Sequence, residues 1–329
     1  MSREIVFEAL AFLEGYNPSP SMKGMTNSNQ IHEVYIKNAV VSLISIKQHN
    51  PQTDVGIVLN FQIGQKWKKL LERKGILIWN CPFKDFQMPQ DIVYSLSYYK
   101  LCAFKYLVEQ TKYDKFCFID CDTFAVKNFN TLWKECEDAF MIVPADESLA
   151  HPVRREIAIL YEKLYEKERN ITHYCSGFII SAREAILSVL LRCNEIYGKI
   201  IETDSRPAGG DEIIWSLALA DMNISIYSPK VYCLLSNIGF KQYWVDKADY
   251  HDNNIVMWHL PAEKRYALVW AYKYYEKKGK VPNVEKMAKA CRIRMIKNQF
   301  SLLSLQAILQ DTTVLKRNLL KVLKRKCGD

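Results

Sequence analysis

The chain has 329 residues, 49% of them hydrophobic, with 45 Lys and Arg against 36 Asp and Glu and a net charge of +9. This is an ordinary globular composition, with enough apolar material for one large core or two smaller ones. The positive excess favours anionic partners such as nucleotides, nucleic acid or a lipid surface, and its distribution must decide among them.

The N-terminal stretch "MSREIVFEALAFLEG" is broken by Glu8 and Glu14 and lacks a small-residue cleavage site, so it reads as a first strand rather than a secretory signal. A long polar loop follows, Glu14 to Gln30, of the kind that usually carries function. Val34 to His49 has apolar residues at Ile36, Ala39, Val40, Leu43 and Ile44, a helical stripe stopped by Asn50-Pro51. Val55 to Leu59 predicts a strand, Gln65 to Lys74 a basic helix and Gly75 to Trp79 another strand. That alternation predicts parallel βαβ units.

A helix over Ser95 to Gln110, with Leu96, Tyr99, Ala103 and Leu107 on one face, leads into the strand "FCFI", apolar at every position as in a strand buried on both faces. Further strands are expected at Ala139 to Val143 and His173 to Ser181, and helices from about Val153 to Glu168 and over Ala182 to Tyr197. The turn Arg206-Pro207-Ala208-Gly209-Gly210 opens onto a helix "DEIIWSLALA", and Ile224 to Tyr227 and Val231 to Leu235 predict two last strands. Beyond Pro282 the sequence reads as helical, which divides the chain into a catalytic α/β domain, 1–281, and an extension, 282–329. The extension ends in "VLKRNLLKVLKRK", a basic amphipathic helix suited to an anionic membrane surface or to packing its Leu/Val side on protein.

No apolar run approaches the ~20 residues a spanning helix needs. The ten cysteines are scattered without a C-x-x-C pair, so reduced thiols in a cytosolic chain are expected, peripheral to the inner membrane face if the basic helix binds there.

The strand "FCFI" ends in Asp120-Cys121-Asp122. In an open parallel sheet ligands bind beyond the carboxyl ends of the strands. Two carboxylates at i and i+2 there suit Mg²⁺ or Mn²⁺, which keeps substrate phosphates among its ligands. Asp120 as a turn cap and Asp122 as a solvated side chain is the plainer alternative. A nucleic-acid enzyme is not expected, because much of the excess charge lies in the C-terminal helix and no binding-module signature occurs.

The order "YYKL", "FCFIDCDTFAVKNFNTLW", "SGFII", "GGDEIIWSLAL" and "MWHLPAEKR" resembles GT-A glycosyltransferases, most closely the retaining family-eight type, over about Ile5 to Tyr272. The resemblance implies a Rossmann-like, mainly parallel central sheet flanked by helices, and a hexosyl transfer from a UDP-sugar to a glycan or lipid-linked acceptor. It implies that Asp120, Asp122 and His259 hold Mn²⁺, or Mg²⁺, against the diphosphate. Lys264 and Arg265 would meet the departing diphosphate, and Lys100 would match a basic residue on the helix before the acidic pair. Ser176 and Gly177 would lie near the donor sugar. Asp211 would bind sugar hydroxyls, and Glu212 would stand where the family has an amide beneath the anomeric carbon.

Two departures stand out. Glu212 replaces that amide, which leaves a covalent or a front-face ion-pair route open, and the first loop lacks the acids that bind uridine. A sugar-nucleotide nucleotidyltransferase would instead need a Gly-rich basic loop after the first strand, where only Gly15 and Gly24 occur. A non-catalytic sugar-nucleotide-binding membrane protein is the third reading.

Overall fold

The computed structural model describes residues 3–13, 22, 25, 27–137, 139–145, 151–222, 232–234, 244–246, 255–291 and 294–296. Its first strands are β1 (Glu4–Leu10), β2 (Asp54–Leu59), β3 (Ile76–Asn80), β4 (Lys115–Ile119), β5 (Thr123–Ala125), β6 (Phe140–Pro144) and β7 (Tyr174–Ala182). All but β5 join one six-stranded sheet in the order β3-β2-β1-β4-β7-β6. Neighbours from β3 to β4 are parallel, whereas β7 runs antiparallel to both β4 and β6. The expected strand at His173 to Ser181 is therefore present but reversed. Its apolar run reports burial on two faces and carries no information about direction.

Alternation along the strands sends side chains into two cores. Val6, Leu10, Cys117 and Ile119 enter one, with α1 (Ser28–His49) and α2 (Gln65–Arg73). Ile5, Phe7, Phe116 and Phe118 enter the other, with α3 (Tyr99–Gln110), α5 (Pro152–Tyr165), α6 (Arg183–Glu202) and α7 (Asp211–Ala220). The short α4 (Asn130–Glu135) buries Leu132 and Trp133 in the first core. The architecture is α/β with a mostly parallel central sheet flanked by helices, compatible with a Rossmann-like fold. In the second core Phe7, Phe104 and Phe118 meet with ring centroids 4.9 to 5.7 Å apart, tying α3 to β1 and β4. Such aromatic pairs contribute about 0.5–1.5 kcal/mol each beyond burial.

α1 begins at Ser28, six residues before the periodic stripe, because the Asn27 side chain accepts from Gln30 N–H at 3.1 Å and caps the helix. Most of the expected loop from Glu14 to Gln30 lies outside the described residues, as do Ile224 to Tyr227 and the basic segment "VLKRNLLKVLKRK".

After α7 come β8 (Tyr232–Leu234), β9 (Trp244–Asp246) and β10 (Met257–His259), then α8 (Ala267–Lys278), α9 (Val284–Ala290) and β11 (Arg294–Ile296). β5, β10 and β8 form a small second sheet, and β11 pairs in parallel with β9. The chain beyond Pro282, read as helical from its sequence, thus contains a strand, where "RMI" finds a partner distant in sequence. Val281, Met287, Ala288 and Cys291 all enter the first core, so the packed unit runs across the expected boundary between residues 281 and 282. All eight cysteines whose surroundings are described are free thiols, and no described helix is long and apolar enough to cross a membrane.

Candidate functional site

β4 delivers Asp120 to the carboxyl edge of the sheet, where its N–H donates to the Gly177 carbonyl of β7 at 3.0 Å. The chain then turns through Cys121 and Asp122 into β5, which pairs antiparallel with β10 so that Thr123 faces His259. Leu260 N–H donates to the Asp122 carbonyl at 2.8 Å, closing the pairing one residue further. This register brings a histidine distant in sequence beside the acidic pair.

Polar residues buried on α1 and at its C-cap hold β5 and the chain that follows it. The Ser42 and Thr123 hydroxyls are 2.7 Å apart, Ala125 N–H donates to Ser45 Oγ at 2.9 Å, and Phe129 N–H donates to Asn50 Oδ1 at 2.7 Å. Buried hydroxyls and amides remain only where they find such partners.

Each aspartate commits one oxygen to a lysine and turns the other toward His259. Asp120 Oδ1 is 3.0 Å from Lys100 Nζ, and its Oδ2 is 3.5 Å from His259 Nε2. Asp122 Oδ2 is 3.0 Å from Lys264 Nζ, and its Oδ1 is 3.3 Å from His259 Nε2. Ligand atoms of Asp120, Asp122 and His259 all lie within 4.8 Å of one another. Two carboxylate oxygens and an imidazole make a donor set that fits a divalent cation. The Asp122 side chain is 2% exposed and that of Asp120 23%, so a cation has access from the Asp120 side.

Burial works against the charge on Asp122, but Lys264 and His259 outweigh it and hold the carboxyl well below its ordinary range. The same attraction raises Lys264 and Lys100 above the ordinary lysine value despite burial. Both lysines are therefore firmly protonated.

Lys100 extends the cluster. Its Nζ donates to Ser176 Oγ at 2.9 Å and lies 3.5 Å from Asp211 Oδ1. Asp211 is 2% exposed and accepts from the Trp215 indole N–H at 3.1 Å, so this acid faces inward. Its neighbour Glu212 is 31% exposed at the side chain. Gly210 precedes both with φ +70 and ψ −154, a region open essentially to glycine, and a Cβ there would lie 2.7 Å from Ser97 Oγ. The Gly-Gly turn is thus required to aim α7.

Seven of the expected residues, Lys100, Asp120, Asp122, Ser176, Asp211, His259 and Lys264, are linked in one continuous series of contacts. Gly177 joins them through its backbone carbonyl and Glu212 by accepting from Ser176 N–H at 3.1 Å. Arg265 instead lies over the exposed Tyr266 ring, 5.9 Å from its centroid. Sequence reasoning missed His173, whose Nε2 is 3.0 Å from Glu212 Oε2. It also missed Glu8, a fully buried acid on β1 whose charge between the apolar residues Phe7 and Ala9 was the available signal.

Neither Glu8 carboxyl oxygen has a hydrogen-bond partner in normal geometry among the described residues. Burial pushes its carboxyl well above the ordinary 4.5; the nearby Ser42 hydroxyl offsets part of this, and the charges of Asp122 and Asp120 add to it. A raised folded-state value means that the folded protein keeps this proton after the unfolded chain has lost it. The contribution is complete below about pH 4.5 and lost as pH rises through the folded value. Glu8→Gln should therefore match wild type in acid and exceed it at pH 8 by at least about 1 kcal/mol, the low end for an unpaired buried polar group. Urea unfolding of both proteins at several pH values checks this, and a constant difference would refute it.

No protein-family model matches the chain, and a search of curated proteins finds no match.

Proposed function

We propose that the chain is a divalent-metal-dependent glycosyltransferase of GT-A type, transferring a hexose from a UDP-sugar to a glycan or lipid-linked acceptor with retention. The observation that carries the reading is the convergence of Asp120, Asp122 and His259 at the carboxyl edge of a mostly parallel sheet, with Lys100 and Lys264 behind them. That edge is where such folds take phosphate-bearing ligands.

In the reaction the bond between the anomeric carbon and the diphosphate oxygen breaks, and its electron pair leaves on UDP. The acceptor hydroxyl oxygen forms the new bond and gives its proton to the departing diphosphate. Asp120, Asp122 and His259 would hold Mn²⁺, which an imidazole beside two carboxylates suits better than Mg²⁺. When bound, such a cation neutralises the diphosphate and stabilises charge on the leaving oxygen. Lys264 supplies fixed positive charge beside the same site, stronger against the leaving diphosphate, which gains a negative charge as the bond breaks, than against the donor. Lys100 aims the Asp120 carboxylate while balancing the inward-facing Asp211. Ser176 and Gly177 form the wall of β7 beside Asp120.

The test is Mn²⁺-dependent UDP binding, followed by a donor screen that reads UDP release from each nucleotide-sugar. Binding that requires Mn²⁺ and release from one donor are expected. A folded protein that binds no UDP sinks the reading.

A further inference from the structure

Glu212 is held at both oxygens. Ser176 N–H donates to Oε1 at 3.1 Å, and His173 Nε2 is 3.0 Å from Oε2. The backbone is fixed as well, since the Glu212 carbonyl accepts from Ser216 Oγ at 2.7 Å and that hydroxyl accepts from Tyr174 N–H at 3.0 Å. His173 is 4% exposed, whereas the Glu212 side chain is 31% exposed. A buried imidazole behind a partly exposed carboxylate is the arrangement of an orienting partner and an acting group.

The charge is maintained too. Burial raises the Glu212 carboxyl, but the hydrogen bond and charge of His173, the charge of Lys100 and the Ser176 N–H together bring it below the ordinary 4.5. Asp211, one residue earlier, is raised by burial and faces inward. Of the two acids that open α7, Glu212 is thus the more exposed and the one whose carboxyl is lowered rather than raised. Glu212 is joined to the cation site through Ser176 and Lys100: its Oε1 accepts from Ser176 N–H, and the Ser176 hydroxyl accepts from Lys100 Nζ, which lies 3.0 Å from Asp120 Oδ1. Glycosyl transfer builds positive charge on the sugar ring as the bond to the leaving group breaks. A fixed anion facing that ring stabilises the transition state more than the ground state.

We propose that His173 is a positioning residue, holding the Glu212 carboxylate fixed as the anion that faces the anomeric carbon of the donor sugar. This rests on the glycosyltransferase reading above. It adds a residue and a specific division of labour: His173 acts through Glu212 and touches no substrate.

The experiment compares His173→Leu, His173→Gln, Glu212→Gln and the double variant His173→Leu/Glu212→Gln in the full chain. It measures kcat and KM for UDP-sugar, Mn²⁺-dependent UDP binding, and folding by circular dichroism. His173→Leu should lower kcat about 10²-fold, the scale of losing one preorganised electrostatic partner, with UDP binding intact. His173→Gln keeps a donor near the position of Nε2 and should recover most of that loss. In the Glu212→Gln background His173→Leu should cost almost nothing more, because the two act as a unit. An equal cost in both backgrounds, or a His173→Gln no better than His173→Leu, overturns the inference while leaving the transferase reading in place. A wild-type chain that neither binds UDP nor releases it from any donor overturns the transferase reading, and this inference falls with it.

Discussion

Asp120→Asn is expected to abolish Mn²⁺-dependent UDP binding and to lower turnover by more than about 10²-fold, the upper range for groups that merely support a metal ligand. Asp122→Asn should do the same, but the two variants should differ sharply in stability. Asp122 is 2% exposed at its side chain and pairs with Lys264, itself 15% exposed. Removing that charge strands a buried ammonium, a change that costs about 3–5 kcal/mol. Asp120 is 23% exposed and its loss should cost no more than about 1 kcal/mol. Because the Asp122 carboxyl is held below its unfolded value of 3.8, its contribution is complete above that pH and is lost as pH falls further. Wild type and Asp122→Asn should therefore converge in strong acid. Titration calorimetry with Mn²⁺ and UDP, beside urea unfolding, separates the two effects. Asp120→Asn that binds Mn²⁺ and UDP like wild type, with its fold intact, would remove the metal assignment.

How much of this site was legible in the sequence depends on the range of the interaction. The acidic pair was visible because an apolar strand ended in it, and its position at the sheet edge followed from the strand-helix alternation. The helices α1, α3 and α6 were visible for the same local reason. His259 was reached only through a resemblance, since its partnership with Asp122 is made by the pairing of β5 with β10, two three-residue strands far apart in the chain. Neither strand has enough periodicity to announce itself. The reversal of β7 and the pairing of β11 with β9 were hidden because strand direction and partner choice are non-local. The His173–Glu212 contact was hidden because each residue alone has an ordinary explanation: a strand-end histidine and a helix-start acid. Glu8 was the opposite case, plain as an exception in a strand and informative only once its burial was known. Ser42 and Ser45 interrupted the apolar residues of α1 without revealing that they serve β5.

Lys100→Met tests whether the cluster is held together from its centre. Lys100 is 13% exposed and within 3.5 Å of Asp120, Asp211 and Ser176 through one nitrogen. Asp120 can turn to water when the ammonium is gone, but Asp211 cannot, because it is 2% exposed and keeps only neutral donors, the Trp215 indole and the Ser176 hydroxyl. A buried carboxylate that loses its cation costs about 3–5 kcal/mol unless it takes up a proton instead. Asp211 is already above its ordinary 3.8 through burial, with Lys100 as the main restraint, so the variant should push it higher still. A raised folded-state value gives stability that is present in acid and lost as pH rises. The destabilisation by Lys100→Met should therefore be small near pH 5 and approach its full size at pH 8. Adding Asp211→Asn, which removes the stranded charge but keeps an acceptor for the indole, should restore most of the loss at pH 8 and little at pH 5. Unfolding midpoints of the two variants at both pH values give the result. A loss independent of pH, or one that Asp211→Asn leaves unchanged, would mean that Lys100 stabilises through its packing over the Phe118 ring, 5.5 Å away. Recovery by Asp211→Asn would assign the lysine to charge balance, with Asp120 left as the acid free to serve the cation.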